Sequence, residues 1–284
     1  MKIQNVGVVG CGQMGGGIAQ VCAQSGYTVL VSENSKELLQ KGLAAITASL
    51  EKSVKKGIMP LEEKNLVLRR ITGTTNAGDF YNCDLIIEAA IEDLELKKNI
   101  FSQLDSVCPS HTLLATNTSS LSVAEIAAAT HRPDKVLGLH FFNPVPVLRL
   151  LEVIKTTGTS GTTLEAGIGF GKSLNKTIVV VADTPGFIVN RLMTPQILNA
   201  IRLVEAGTAT SEDIDTAMTL GLNHPVGPLA LADLIGLDTL LTIADSIFKK
   251  TGDSQYAAPD MLKKMVHAGN LGRKTGRGFY EYTP

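Results

Sequence analysis

The sequence has no long hydrophobic run and no excess of charge of either sign. No stretch of its 284 residues approaches the ~18 consecutive apolar residues that a membrane-spanning helix needs. Glycines interrupt the apolar N-terminal stretch, so we do not expect a signal peptide. The formal net charge is −1, which provides no general attraction to nucleic acid or to a membrane surface. We expect neither as a partner, and an anionic ligand must be held by a local site.

Cysteine is scarce, and its spacing matches no metal or disulfide motif. The four cysteines are Cys11, Cys22, Cys83 and Cys108, and no two of them have CxxC spacing. We therefore expect reduced thiols in a cytoplasmic protein without a metal site. Cys11 lies in a glycine-rich loop, where we prefer a small space-filling role over sensitivity to oxidation.

Apolar runs of strand length alternate with helical patterns over roughly the first 180 residues. The predicted strands are Val6–Gly10, Thr28–Val31, Asp84–Glu88, Thr112–Thr116, Val136–His140, Leu148–Ile154 and Thr177–Ala182. Between Ser35 and Lys56, apolar residues recur at three- and four-residue steps, which predicts a helix. This alternation predicts an α/β fold of the Rossmann type, with a doubly wound, mostly parallel sheet.

Two features modify that fold. The predicted strand 148–154 follows its predecessor after only a short turn at Asn143–Pro146, whereas a parallel crossover needs about a dozen or more residues. We therefore expect this pair of strands to be antiparallel. After Asp183–Gly186 the pattern becomes helical, with no convincing strand. The predicted domains are residues 1–184, which bind a dinucleotide, and an all-helical domain at residues 185–284.

A glycine-rich loop follows the first predicted strand and opens a helix, Gln13–Gln24. Its residues are Gly10, Cys11, Gly12, Gln13, Met14 and Gly15, which match GxGxxG. The three glycines allow a tight turn, a close approach to pyrophosphate, and packing of the helix on the strand. The first backbone N–H groups of the helix favour phosphate. The loop and the start of the helix are therefore predicted to bind a dinucleotide.

Glu33 ends the second predicted strand, 23 positions after Gly10 (33 − 10). A carboxylate there can accept hydrogen bonds from the adenosine ribose and would repel a 2′-phosphate, which favours NAD over NADP. A solvated glutamate at a strand end is the alternative. Similar glycine loops occur in methyltransferases and flavoproteins, so the motif indicates a nucleotide and not a reaction.

Alcohol oxidation by a nicotinamide cofactor needs a base for the hydroxyl proton, and histidine suits this because its unperturbed pKa is about 6.5. Of five histidines, only His140 stands at the carboxyl end of a predicted strand, where ligands bind in open α/β sheets. If the next strand folds back, Glu152 lies beside it and can orient the imidazole. A hydrogen-bonded core histidine is the alternative.

Six segments resemble the 3-hydroxyacyl-CoA dehydrogenase family. They are Asn117–Ser120, His140–Pro146, Leu151–Ile154, Asp183–Arg191, His224–Pro228 and Leu271–Tyr280. The resemblance runs from end to end and is closest to the short bacterial members. It implies reversible NAD-dependent oxidation of a short-chain (S)-3-hydroxyacyl-CoA, such as 3-hydroxybutyryl-CoA, by a homodimer. The helical domain would contribute to the substrate cleft and to dimerisation.

The resemblance also implies roles for individual residues. His140 would be the general base or acid and Glu152 its partner, while Ser119 and Asn190 would bind the substrate oxygen. The positions that match cofactor contacts are Glu92, Lys97, Ser119 and Asn143. As alternatives, Ser119 or Ser120 could cap a helix beginning near Ser122, and Asn190 could cap the helix after Pro185.

A basic helix face is the last candidate. Ser49, Lys52 and Lys56 fall at i, i+3 and i+7 of the second predicted helix. By resemblance, Ser49 and Lys56 would contact coenzyme A phosphates, and a solvated helix face is the alternative. Two other functions stay open: dehydrogenation of a free hydroxy acid or sugar acid, and non-catalytic NAD binding.

Overall fold

The structure is a computed structural model that describes residues 2–282. It divides into two compact units, with the boundary between Thr184 and Pro185. The first unit contains the sheet, and the second is helical.

Eight strands form one sheet in the order β3-β2-β1-β4-β5-β6-β7-β8. They are β1 (Asn5–Val9), β2 (Thr28–Ser32), β3 (Ile71–Thr74), β4 (Leu85–Glu88), β5 (Leu113–Thr116), β6 (Val136–Phe141), β7 (Leu150–Lys155) and β8 (Thr177–Ala182). The first six run parallel to one another. β7 is antiparallel to β6, and β8 is parallel to β7. The Rossmann-type, mostly parallel sheet and the antiparallel fold-back are both confirmed.

The seven predicted strands all form, but the sequence interpretation missed β3. This strand has only four residues, Ile71–Thr74, and includes a glycine. None of its residues is fully buried, and it lies at the end of the strand order. An edge strand of this kind has no apolar run to reveal it.

Six helices belong to the first unit. They are α1 (Gln13–Gln24), α2 (Lys36–Lys55), α3 (Leu61–Arg69), α4 (Leu94–Val107), α5 (Val123–Ala127) and α6 (Gly161–Ser173). Ser35 is the N-cap of α2, and its hydroxyl accepts a hydrogen bond from the Leu38 N–H at 3.2 Å. Leu39, Ile46 and Leu50 are buried on one face of α2, as their spacing predicts.

The three strands β4, β5 and β6 are buried at every position. Helices therefore cover both faces of the sheet, which accounts for the continuous apolar runs. Polar side chains occur where these strands end. Glu88 ends β4 and pairs with Thr116 at the end of β5, and His140 lies one residue before the end of β6. The fold thus places polar groups along the carboxyl edge of the parallel strands.

Five helices form the second unit. They are α7 (Val189–Glu205), α8 (Ser211–Leu222), α9 (Pro228–Ile235), α10 (Leu237–Thr251) and α11 (Asp260–His267). The buried carboxylate of Asp233 accepts the backbone N–H groups of Phe279 and Tyr280, each at 3.0 Å. Because Asp233 belongs to α9, these two hydrogen bonds hold the segment after α11 against that helix. The all-helical character of this unit is confirmed, and no helix in residues 2–282 has the length and hydropathy to cross a membrane.

Candidate active site

The glycine loop joins β1 to α1, and Gly12 precedes the first residue of the helix. Gly10 has φ of +94°, and a Cβ there would lie 2.8 Å from the Ala89 carbonyl oxygen. A Cβ on Gly15 would collide with the carbonyl oxygen of Gly10. A Cβ on Gly12 would meet no protein atom within 4 Å. Packing therefore explains Gly10 and Gly15, whereas Gly12 leaves open space for a ligand beside the N–H groups of α1.

Glu33 follows β2 and contacts this loop. Its Oε1 accepts the Cys11 N–H at 2.7 Å, and its Oε2 accepts the Asn34 N–H at 3.2 Å. The carboxylate is half-buried and lines the same cavity as Gly12 and Gln13. The structure thus brings the predicted ribose-binding residue to the loop predicted to hold pyrophosphate.

A cavity of about 590 Å³ opens over the loop, and its walls come from α1, α2 and the connection between β6 and β7. The predicted site residues in its lining are Gly12, Gln13, Glu33, Ser49 and Asn143. Lys56 is exposed just after α2 ends and is outside that lining. Ser49 and Asn143 therefore lie in the wall of the cavity over the glycine loop, but Lys56 does not.

His140 and Glu152 form a buried pair across β6 and β7. They are directly opposite in the antiparallel register, and His140 Nδ1 lies 2.7 Å from Glu152 Oε2. Their side chains are only 5% and 1% exposed. A carboxylate on Nδ1 favours the tautomer with a proton there, so that Nε2 is the nitrogen able to take another proton. This arrangement could supply an oriented base at the carboxyl edge.

Ser119 lies in the segment that follows β5, one strand away from His140. Asn117 in the same segment accepts the Phe141 N–H at 2.8 Å and so joins it to the end of β6. The alternative interpretation of Ser119 or Ser120 as a helix cap is wrong, because Ser122 caps α5. The capping interpretation of Asn190 is also wrong, because Asn190 lies within the first turn of α7 in the helical unit.

Glu92 and Lys97 meet near the ends of β4 and β5. Lys97 Nζ lies 3.4 Å from Glu92 Oε2 and 2.5 Å from Glu88 Oε1. Glu88, which is completely buried, is a residue of this cluster that was not predicted from the sequence. The available signal was a carboxylate that directly ends an apolar strand, with a lysine nine positions later (97 − 88).

Cys11 is buried between the loop and α2, since a Cβ on Gly42 would collide with its sulfur. Burial, with a smaller contribution from the charge of Glu33, raises the pKa of the Cys11 thiol to about 11. Burial also raises the pKa of Cys83 to about 12, that of Cys108 to about 11, and that of Cys22. Thiolate, the reactive form, is therefore rare at neutral pH, which supports the space-filling role of Cys11.

We expect the native thiols to resist Ellman's reagent at pH 7. A thiol with a pKa near 11 is ionised to only roughly 10⁻⁴ at that pH, and all four sulfurs are buried. The labelling rate should increase as the pH rises toward 10. In denatured protein, all four thiols should react at once. Rapid labelling of a single native thiol at pH 7, mapped to Cys11 by peptide analysis, would contradict the space-filling role.

Two family profiles cover nearly the whole chain. Residues 5–184 match the NAD binding domain of 3-hydroxyacyl-CoA dehydrogenase, and residues 186–282 match the C-terminal domain of the same enzyme. The first unit, with its glycine loop, is thus an NAD-binding domain.

Relatives match over nearly the full length. A 3-hydroxybutyryl-CoA dehydrogenase from Clostridioides difficile is 48% identical, across 97% of this chain and 98% of that protein. The mitochondrial hydroxyacyl-coenzyme A dehydrogenase of Homo sapiens is 44% identical, across 99% and 91%. The crystal structure of (S)-3-hydroxybutyryl-CoA dehydrogenase from Ralstonia eutropha is 44% identical and matches 100% of both chains with a TM-score of 0.95. This chain belongs to the 3-hydroxyacyl-CoA dehydrogenase family.

Proposed function

We propose that this enzyme catalyses the reversible, NAD-dependent oxidation of (S)-3-hydroxybutyryl-CoA to acetoacetyl-CoA. The observation that carries the proposal is the buried His140–Glu152 pair, with 2.7 Å between Nδ1 and Oε2. It lies at the same sheet edge as the glycine loop of an NAD-binding domain. The names of the full-length relatives support the substrate.

In the oxidative direction, His140 Nε2 takes the proton of the substrate's 3-hydroxyl group. Glu152 accepts the Nδ1–H and stabilises the imidazolium that results. Bound NAD supplies the acceptor for the hydride that leaves C3. In the reductive direction, the imidazolium of His140 returns the proton to the 3-oxo oxygen.

The residues around the cavity fit a dinucleotide. Gly12 leaves free space where a Cβ would point, and Glu33 lies beside it at the end of β2. We propose that Gly10 to Gly15 hold the pyrophosphate, with Gln13 and Met14 presenting the first N–H groups of α1. Glu33 would accept hydrogen bonds from the adenosine ribose.

Other contacts are proposed from the match to the family. Ser119 and Asn190 are proposed to bind the 3-oxygen of the substrate. Glu92 and Lys97 lie near the ends of β4 and β5. Together with Asn143, they are proposed to contact the nicotinamide half of NAD. Ser49 lines the cavity and is proposed to contact coenzyme A, with Lys56 at the end of α2 contributing charge.

The helical unit is proposed to complete the substrate cleft and to form a homodimer in the cytoplasm. Leu192, Leu220 and Leu222 are 69%, 82% and 62% exposed on α7 and α8, which leaves apolar side chains available for such a contact. Light scattering on the purified protein should give twice the mass of the 30.1 kDa chain. A monomer at micromolar concentration would contradict the dimer.

Comparing two oxidants of NADH tests whether the substrate is a coenzyme A thioester or a free acid. We expect rapid NADH oxidation with acetoacetyl-CoA and little with free acetoacetate. Preference for the free acid would favour a hydroxy-acid dehydrogenase on the same fold. Tight NADH binding without turnover on any hydroxyacyl-CoA or oxoacyl-CoA would indicate a non-catalytic NAD-binding protein.

Glu33→Gln should relax the choice of cofactor. The amide keeps an oxygen for the Cys11 N–H but removes the charge that opposes a 2′-phosphate, while Lys41 remains in the cavity wall. We expect the ratio of kcat/KM for NADH to that for NADPH to fall on the order of 10–10²-fold. Glu37→Gln is the matched control, since Glu37 is exposed on α2 outside the cavity. An unchanged ratio in E33Q would remove Glu33 from cofactor selection.

A further inference from the structure

A buried ion pair lies at the carboxyl end of β4. Glu88 and Lys97 are 0% and 1% exposed, with 2.5 Å between Oε1 and Nζ. Removing two charges from water is costly, and a buried ion pair is often no more stabilising than an apolar pair of the same size. Its presence therefore suggests a role other than stability. Its place next to the end of β1, where the glycine loop begins, points to the active site.

The first connection from Glu88 runs through Thr116. Glu88 Oε2 accepts the Thr116 hydroxyl at 2.7 Å, and Thr116 Oγ1 accepts the Thr118 N–H at 3.2 Å. Glu88 Oε1 also accepts the Ala90 N–H at 2.7 Å. One carboxylate thus joins the end of β4 to the segment that carries Ser119.

The second connection runs through Lys97 and Glu92. Glu92 Oε2 lies 3.4 Å from Lys97 Nζ, and its Oε1 faces the serine segment. That oxygen accepts the Thr118 hydroxyl at 2.5 Å, the Ser119 N–H at 2.9 Å and the Ser120 N–H at 3.2 Å. Two routes from Glu88 therefore end in the segment 118–120, at the backbone of Ser119 and of the residues beside it.

The charges explain why a carboxylate is needed at position 88. Lys97 stands between two carboxylates and makes its shorter contact with Glu88, at 2.5 Å against 3.4 Å for Glu92. With Glu88 uncharged, Glu92 would be the only counter-ion of the buried ammonium among residues 2–282. The Glu92 carboxylate would then be drawn toward Lys97 and away from the N–H groups of Ser119 and Ser120.

We propose that Glu88 is a positioning residue that, through Lys97, Glu92 and Thr116, holds Ser119 where it binds the substrate oxygen. This inference rests on the proposed function, in which Ser119 contacts that oxygen. A displacement of about 1 Å in such a group is enough to cost on the order of 10²-fold in rate.

A double-mutant cycle of Glu88→Gln and Ser119→Ala tests the proposal. Glutamine keeps the size of the side chain and can still bond Lys97 and Thr116, but it removes the charge. We expect E88Q to lower kcat for acetoacetyl-CoA reduction by about 10–10²-fold. The Kd of NADH, measured by fluorescence without substrate, should change far less. Adding E88Q to S119A should lower kcat little further, because both substitutions act on one contact.

Two further variants keep the test decisive. Glu95→Gln makes the same change on α4 at a side chain that is 76% exposed, and it should leave kcat unaltered. Thr116→Val removes the other connection with little change in shape and should also lower kcat, which provides a test even if E88Q folds poorly.

A structural role predicts different results. Wild-type kcat in folded E88Q and T116V, or effects of E88Q and S119A that multiply in full, would overturn the positioning role while leaving the proposed function intact. Absence of acetoacetyl-CoA turnover in the wild-type enzyme would overturn both.

Discussion

Replacing His140 with asparagine is expected to lower kcat for acetoacetyl-CoA reduction by about 10²–10⁴-fold, the usual contribution of a positioned acid or base. Asparagine can still bond Glu152 but cannot carry a proton to the substrate. NADH should bind with nearly unchanged affinity, because the loop and Glu33 follow β1 and β2, which β4 and β5 separate from β6 in the sheet. Stopped-flow kinetics and NADH fluorescence would measure the two effects separately.

His131→Asn is the matched control for this substitution. His131 also bonds a carboxylate through Nδ1, at 2.8 Å from Asp105 Oδ2, but its side chain is fully exposed. The same chemical change there should leave kcat unaltered. Turnover near the wild-type rate in folded H140N would remove His140 from the mechanism.

The pairing of His140 with Glu152 can be predicted from the sequence because it depends on local rules. The turn Asn143–Pro146 is too short for a crossover, so β7 must fold back on β6. Once the strands are antiparallel, the alternation of side chains places Glu152 on the same face as His140. The glycine loop is similarly local, because a strand, a turn and a helix start lie within about a dozen residues.

The Glu88 network could not be predicted in the same way. Periodicity shows which face of a strand is buried, but not which distant polar groups meet there. Glu92 accepts hydrogen bonds from a hydroxyl and two backbone N–H groups 26 to 28 positions away, and Glu88 bonds Thr116 across 28 positions. These partners are set by the order of β4 beside β5, which no single segment encodes.

The sheet order explains why residues far apart in sequence act together. Glu33, Gly10 and Glu88 follow or end β2, β1 and β4, which are neighbours in the sheet. Ser119 and His140 continue the same edge at β5 and β6. A dinucleotide laid along this edge would therefore extend from the proposed ribose contact at Glu33 toward the proposed base, His140.

Glu152→Gln is expected to slow turnover severely, by up to about 10⁴-fold, which is the cost of a wrong imidazole tautomer. Glutamine has the shape of glutamate, but its amide can donate to His140 Nδ1 and so favour the proton on Nε2. That tautomer cannot accept the substrate proton, and an uncharged amide no longer stabilises the imidazolium. The pH–rate profile should therefore change as well.

A glutamate-to-glutamine change at an exposed position is the control for this substitution. Glu165→Gln, at an exposed position of α6, should leave both kcat and the pH profile unaltered. Glu152 is 1% exposed, so the Tm of E152Q must be measured to separate misfolding from lost catalysis. Folded E152Q with wild-type kcat and an unchanged pH profile would reject the dyad, because a carboxylate that only fills space is replaced by glutamine without kinetic effect.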